Sequence, residues 1–192
     1  MRAFGAEAVA TAEPTLRQIA VHPGLDPVER TMRNVMFVGC LAETVAVALI
    51  SEERELATEP FVRAIFSRIL ADEVIHARFG WGYLAHCIAT LDGAARERTA
   101  EYLRSAFAYL ERNEIALLPR FPPMPAELAA QRESIGLCTG SLAQDLFYET
   151  VESVIVPRLM DLGIDARTAW RTRFTGCAAP TRVASAQDAR VC

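Results

Sequence analysis

Apolar residues recur at helical spacing along most of the chain, and turn residues divide this pattern into long segments. Asp26 opens the first segment as a typical helix start, because Asp caps well, Pro27 suits the first turn and Glu29 sits where a capping box places its acid. The pattern then predicts a helix over residues 26–56. After a hairpin near residues 57–60, it predicts a second helix over residues 59–91, which ends at the turn pair Asp92-Gly93.

The second half of the chain continues in the same way. A third helix is predicted over residues 94–118, where Pro119 stops it, and a short extra helix over residues 126–137. A fourth core helix fits residues 141–162, with a kink at Pro157, and Asp165 caps a short terminal helix. Four long helices joined mainly by short turns predict an all-α, up-down-up-down four-helix bundle with short extra helices. We assign this bundle to residues 26–174, with an N-terminal arm at 1–25 and a C-terminal tail at 175–192.

Composition narrows the classes of function. The 192 residues suit one domain, and a hydrophobic content of 52% supports a sizeable core. All twenty basic residues are Arg, so a Schiff-base lysine and a P-loop are excluded. A net charge of −4 and scattered Arg residues argue against a nucleic-acid partner.

The five cysteines and the N-terminus indicate the compartment. Their number is odd and they show no metal-binding spacing, which favours a reduced, cytoplasmic protein. The first fourteen residues lack the apolar core of a signal peptide. The apolar run at 35–50 is short for a membrane span and carries Glu43 at its centre, so we predict no membrane partner. The cysteines are Cys40, Cys87, Cys138, Cys177 and Cys192.

The candidate chemistry begins with Glu73 and His76. They are the strongly polar members of a stripe predicted to be the buried face of the second helix, which runs through Val62, Phe66, Ile69, Glu73, His76, Gly80, Tyr83 and Cys87. An ionised carboxylate in an apolar core costs several kcal/mol unless hydrogen bonds, a counter-charge or a metal compensate it. The most specific interpretation is a bound metal. The ordinary interpretation is that Glu73 and His76 only form a hydrogen bond with each other. Two alternatives stand for Asp72: it orients one of the metal ligands by a hydrogen bond, or it is exposed to solvent.

Glu43 adds a second inward carboxylate, since it is the only charged residue between positions 35 and 50. Counted from Thr58 in the hairpin, Glu43 lies fifteen residues back and Glu73 fifteen residues forward. In an antiparallel helix pair the two carboxylates therefore stand at the same height. This coincidence strengthens the prediction of a metal site.

The later helices offer further acids. Glu114 interrupts an apolar stripe of the third helix and is preferred there, although Glu111, one turn earlier, is also in reach. Glu149 and Glu152 occupy neighbouring faces of the fourth helix, and both can approach the bundle axis. The ordinary alternative for Glu149 and for Glu152 is a position on a solvent-exposed face of the helix.

Over residues 26–163 the chain resembles the ferritin-like di-metal carboxylate superfamily, whose bundles carry Glu, Glu-x-x-His, Glu and Glu-x-x-His on successive helices. The Glu111/Glu114 pair resembles the third helix of rubrerythrins. The fourth element departs from the pattern, because Glu152 stands where the histidine belongs. The resemblance implies a pair of iron ions, or manganese or a mixed iron–manganese pair. The implied metal ligands are Glu43, Glu73, His76, Glu114, Glu149 and Glu152.

The resemblance implies a function as well. The expected activity is that of an oxidoreductase that activates O2 or peroxide and acts on a small organic substrate. The resemblance is also compatible with a homodimer. The alternative is a non-catalytic helical bundle whose degenerate acidic core serves partner or small-ligand binding. Metal analysis of the purified protein separates the two.

Overall fold

The computed structural model describes residues 22–118 and 125–176, and within these ranges every regular element is helical, which confirms the all-α prediction. We number the helices in chain order. They are α1, Pro27–Leu56; α2, Pro60–Thr90; α3, Gly93–Leu117; α4, Ala126–Ser134; α5, residues 140–161; and α6, Ala166–Thr172. The predicted bounds agree to within a few residues, because caps and prolines mark most of the ends.

Helix α1 begins as predicted. The Asp26 side chain accepts hydrogen bonds from the backbone N–H groups of Val28 and Glu29, and Pro27 occupies the first turn. The Glu29 carboxylate, however, does not complete a capping box. It is buried and receives hydrogen bonds from Arg33 and Arg98 instead, which ties the start of α1 to α3.

Helices α1 and α2 form a closely packed hairpin. Glu59 caps α2 by accepting from the backbone N–H of Val62 at 2.8 Å. Where the two helices approach most closely, Gly39 faces Gly80, and a Cβ atom built on Gly80 would lie 2.5 Å from the carbonyl carbon of Gly39. The absence of both side chains is what allows this approach.

The buried face of α2 differs from the predicted stripe. Ile69 and His76, expected in the core, are exposed. The buried residues of α2, which pack on α1, all lie in the C-terminal half of the helix. They are Ala77, Gly80, Trp81, Leu84, Cys87 and Ile88. Helical periodicity alone did not indicate which of two partly apolar faces would find a neighbour.

Two of the remaining helices, α3 and α5, pack against α1, and α6 packs against α3 and α5. Helix α3 contacts the start of α1 and lies along α6, while α5 packs against the C-terminal half of α1. The Trp170 ring of α6 meets Phe107 of α3 edge-on, with 5.2 Å between ring centroids, and contacts Phe147 of α5. Aromatic packing of this kind joins three helices in one core.

Two helices contain wider, π-helical turns. Met36–Ala42 forms such a segment within α1, and Val151–Ile155 forms another within α5. The two segments contact each other. Pro157, where we predicted a kink, lies two residues after the end of the second segment and lacks the N–H that a regular α-helix would use.

Helix α1 is long and apolar enough to cross a membrane, with a mean hydropathy of 1.8 over its most apolar stretch. Core helices of soluble proteins meet the same criterion. Residues 1–21 of the predicted arm, Pro119, and residues 177–192 of the predicted tail, with Cys177 and Cys192, lie outside the described residues. Cys87 is buried, as its place in the predicted stripe indicated, and Cys40 is buried as well.

Candidate metal centre

Glu43, Glu73 and His76 come together between α1 and α2. One potential ligand atom from each lies within 4.8 Å of the other two, and no other group of this kind occurs among the described residues. His76 Nδ1 lies 3.1 Å from Glu73 Oε2, within hydrogen-bond distance. The prediction that Glu43 and Glu73 stand at the same height is therefore confirmed. We call these three residues the triad.

The local fold fixes each member of the triad. Glu43 directly follows the π-helical segment of α1, and the close contact between Gly39 and Gly80 sets the separation of the two helices beside it. Glu73 and His76 lie one turn apart on α2, so both side chains leave the helix on the same side. The triad thus depends on two neighbouring helices and on their unusually close approach.

Electrostatics couple the three side chains. Burial raises the pKa of Glu43 to about 7, and its hydrogen bond with the charged Glu73 adds to that shift. Hydrogen bonds from Glu43 and then from His76 lower the pKa of Glu73. The Glu73 carboxylate in turn raises the pKa of His76. Glu43 therefore exchanges its proton near neutral pH beside the ionised Glu73 carboxylate, and a bound cation would displace that proton.

The triad opens to solvent on one side. The His76 side chain is 58% exposed, whereas Glu43 and Glu73 are half-buried. Glu43 and His76 line a groove of about 660 Å³ whose other walls are mostly apolar. These walls include Val35, Val38, Ile75 and Phe79. Small molecules can reach two of the three potential ligands directly.

The donor set fits a transition-metal ion. Two ligands of one ion lie at most about 4.2 Å apart, which is twice a typical metal–ligand bond. Small side-chain rotations bring atoms within 4.8 Å of one another to that spacing. Two carboxylates and one imidazole suit iron or manganese, and three protein ligands leave positions open for other molecules.

Behind the triad, a buried pair holds α1 against α2. Trp81 Nε1 donates a hydrogen bond to Thr44 Oγ1 at 3.0 Å, and Thr44 is the neighbour of Glu43. The Arg158 guanidinium of α5 lies over the Trp81 ring, 4.4 Å from its centroid. A hydrogen bond between side chains 37 positions apart leaves no local signal in the sequence.

The acids predicted on α3 and α5 lie outside the triad. Glu114 is half-buried, while Glu149 and Glu152 are exposed. Glu152 accepts a hydrogen bond from Trp170 Nε1 at 3.2 Å. The expectation that both acids of α5 approach the bundle axis is wrong, because α5 buries the face that carries Phe147, Val151 and Ile155. A six-ligand site within one chain is therefore not assembled in the structure.

Glu111, the alternative on α3, is the buried acid of that helix. Tyr148 donates a hydrogen bond to it at 2.8 Å, and Arg173, just after α6, forms an ion pair with it. The guanidinium of Arg173 also stacks on the Trp170 ring. A counter-charge, not a metal, thus compensates this carboxylate. No helical pattern could have indicated Arg173, because it follows the last predicted helix.

Comparison of the chain with protein-family models, with curated proteins and with solved structures finds no match.

Proposed function

We propose that the triad binds iron or manganese and that the protein is a non-haem metal oxidoreductase. The observation that carries the proposal is the meeting of two carboxylates and one imidazole from two helices within 4.8 Å. Single Glu-x-x-His pairs are common on helices. A second carboxylate delivered by another helix to the same point is much less common.

The ion would supply the redox chemistry that activates O2 or peroxide. Glu43 and Glu73 would offset its charge, and His76 would add a neutral donor. Glu43, whose pKa is raised to about 7, can release its proton at neutral pH when a cation approaches. The groove gives O2, peroxide or a small organic substrate a path to the open side of the triad.

We further propose a ferritin-like arrangement and a cytoplasmic location. The helix order and the Glu43, Glu73 and His76 pattern support the first. Three buried cysteines with no disulfide support the second. Since the acids of α3 and α5 lie outside the triad, we propose one metal ion per chain in place of the pair expected from the sequence.

Metal analysis with a matched pair of variants tests this proposal. Protein from cells supplied with iron or manganese should hold about one ion per chain by elemental analysis. Glu73→Gln should lose that ion, and Glu149→Gln, which removes an exposed acid of α5, should retain it. Iron-loaded protein should then consume O2 or peroxide, and Glu73→Gln should not. Wild-type protein that stays metal-free after anaerobic reconstitution contradicts the proposal.

A second candidate is a non-catalytic helical bundle that binds a partner or a small ligand. The ion pair between Glu111 and Arg173 favours it, because it shows that a core acid of this fold is satisfied without metal. Under this candidate Glu73 and His76 are an ordinary hydrogen-bonded pair, and elemental analysis finds neither iron nor manganese.

A further inference from the structure

The outer face of α2 carries an unusual stripe. Its residues are spaced four, three, four, three and four apart, which is the spacing of a coiled-coil seam. They are Ile65, Ile69, Asp72, His76, Phe79 and Tyr83. Most of the stripe is not covered by the described part of the chain, since Phe79 is 65% exposed and Ile65 is 43% exposed, while Tyr83 is half-buried against the core. We call it the seam.

The seam is symmetric about Val74. Ile65 and Tyr83 lie equally far from Val74 along the helix, as do Ile69 and Phe79, and so do Asp72 and His76. If a second copy of α2 packs antiparallel with a two-fold axis at that level, these positions pair across the axis. Apolar residues then meet apolar residues, and Asp72 stands level with the partner's His76. An isologous interface requires such self-complementarity.

We propose that a second copy of this chain packs along the seam and that the two triads form one two-metal centre across the axis. This inference rests on the proposed metal-binding function and adds the partner that completes it. Glu73 lies one residue from the level of the axis and His76 lies two. At 1.5 Å per residue, the two copies of Glu73 are offset along the helix by about 3 Å and the two copies of His76 by about 6 Å.

These offsets bracket the spacing of about 3.5–4 Å between the ions of two-metal centres. The charge also balances. Two triads supply four carboxylates with a total charge of −4, which equals the positive charge of two divalent ions. Four carboxylates and two histidines are also the full donor set of a di-metal helical bundle. One chain supplies half of that set, and the second Glu-x-x-His missing from α5 comes from the partner.

The apolar area supports a pair of copies. The exposed apolar side chains of this face, from Phe61 through Phe79, present several hundred Å², which is large for a surface that stays in water. Two copies would bury on the order of 1,000 Å², the lower range of specific interfaces.

Mass and metal content of the full chain test the proposal together. Light scattering of the anaerobic, Fe(II)-loaded protein should give twice 21.1 kDa, with two ions per dimer. Ile65→Asp places a charge in the seam eleven residues from His76, so it disturbs pairing without touching the triad. It should yield monomers and weaken Fe(II) binding at least tenfold. Leu128→Asp is the matched control on α4, where Leu128 is 52% exposed, and should leave both properties unchanged.

A crosslink checks the register. With Cys177 and Cys192 replaced by Ser, the double variant Ile65→Cys/Tyr83→Cys should form covalent dimers when diamide is added, and either single variant should not. A wild-type monomer that binds one Fe(II) as tightly as Ile65→Asp does overturns the inference but leaves the proposed function intact. Absence of metal from wild type and all variants overturns the proposed function itself.

Discussion

Replacing Gly80 by Ala should destabilise the protein, although alanine is the better helix former. The added Cβ would lie 2.5 Å from the carbonyl carbon of Gly39 and 2.6 Å from its Cα. Ordinary contacts at a Cβ atom begin near 3.4 Å, and backbone atoms cannot rotate away. Helices α1 and α2 must therefore separate by nearly 1 Å. Overpacking of this kind costs about 1–3 kcal/mol, and we expect the upper end of that range.

Gly82→Ala is the matched control, because it lies two residues away in the same helix. A Cβ on Gly82 meets no atom within 4 Å, so the substitution should stabilise α2 by the helix propensity gain of about 1 kcal/mol. Gly80→Ala receives the same gain, so its net loss is about 2 kcal/mol. The two variants should then differ by about 3 kcal/mol in their free energy of unfolding.

Urea unfolding followed by circular dichroism measures this difference. With an m-value of about 2 kcal/mol per M, the unfolding midpoints of the two variants should differ by about 1.5 M. Iron binding by Gly80→Ala should weaken as well, because the helices that carry Glu43 and Glu73 move apart. Equal midpoints for the two variants would refute the reasoning that the contact with Gly39 sets the helix spacing.

Three further outcomes are expected. His76→Ala should lose bound iron by elemental analysis while keeping its helix content by circular dichroism, because His76 is exposed and supports no core. Glu29→Gln should lower the free energy of unfolding by about 1–3 kcal/mol at pH 7. The hydrogen bond from Arg98 lowers the pKa of Glu29, so the stability that the Glu29 carboxylate contributes is present above pH 4.5 and is lost as pH falls through the folded pKa. The urea midpoints of parent and variant should therefore approach each other as pH is lowered below 4.5. Glu111→Ala should lower the free energy of unfolding, measured by thermal unfolding, by about 3–5 kcal/mol, because Arg173 is left without its counter-charge. The metal content of this variant should not change.

Local chemistry explains why the helices could be predicted. Asp26, Glu59 and Asp92 each accept a backbone hydrogen bond at the start of a helix, and such caps depend on a few adjacent residues. The common height of Glu43 and Glu73 follows from the fixed rise per residue and from a short hairpin. The helix starts and this common height could therefore be predicted without knowledge of tertiary contacts.

The direction in which side chains point could not be predicted as well. His76 was expected in the core because its stripe is apolar, but α2 buries the neighbouring face, where Trp81 and Gly80 pack on α1. On α3, Glu111 is buried instead of Glu114 because Arg173, distant in sequence, compensates its charge. Which face is buried depends on the neighbours that pack there, and a helical period carries no information about them.

The π-helical segment at Met36–Ala42 has an evolutionary consequence. A wide turn of this kind holds one residue more than an α-helix of equal length, as a one-codon insertion would produce. Loss of that codon would return α1 to regular geometry and rotate everything before the segment by about 100° relative to Glu43. Gly39 could then no longer face Gly80 while Glu43 faces Glu73. Glu43, Glu73 and His76 all follow the segment and would keep their register to one another, but the close approach of the two helices beside them would be lost.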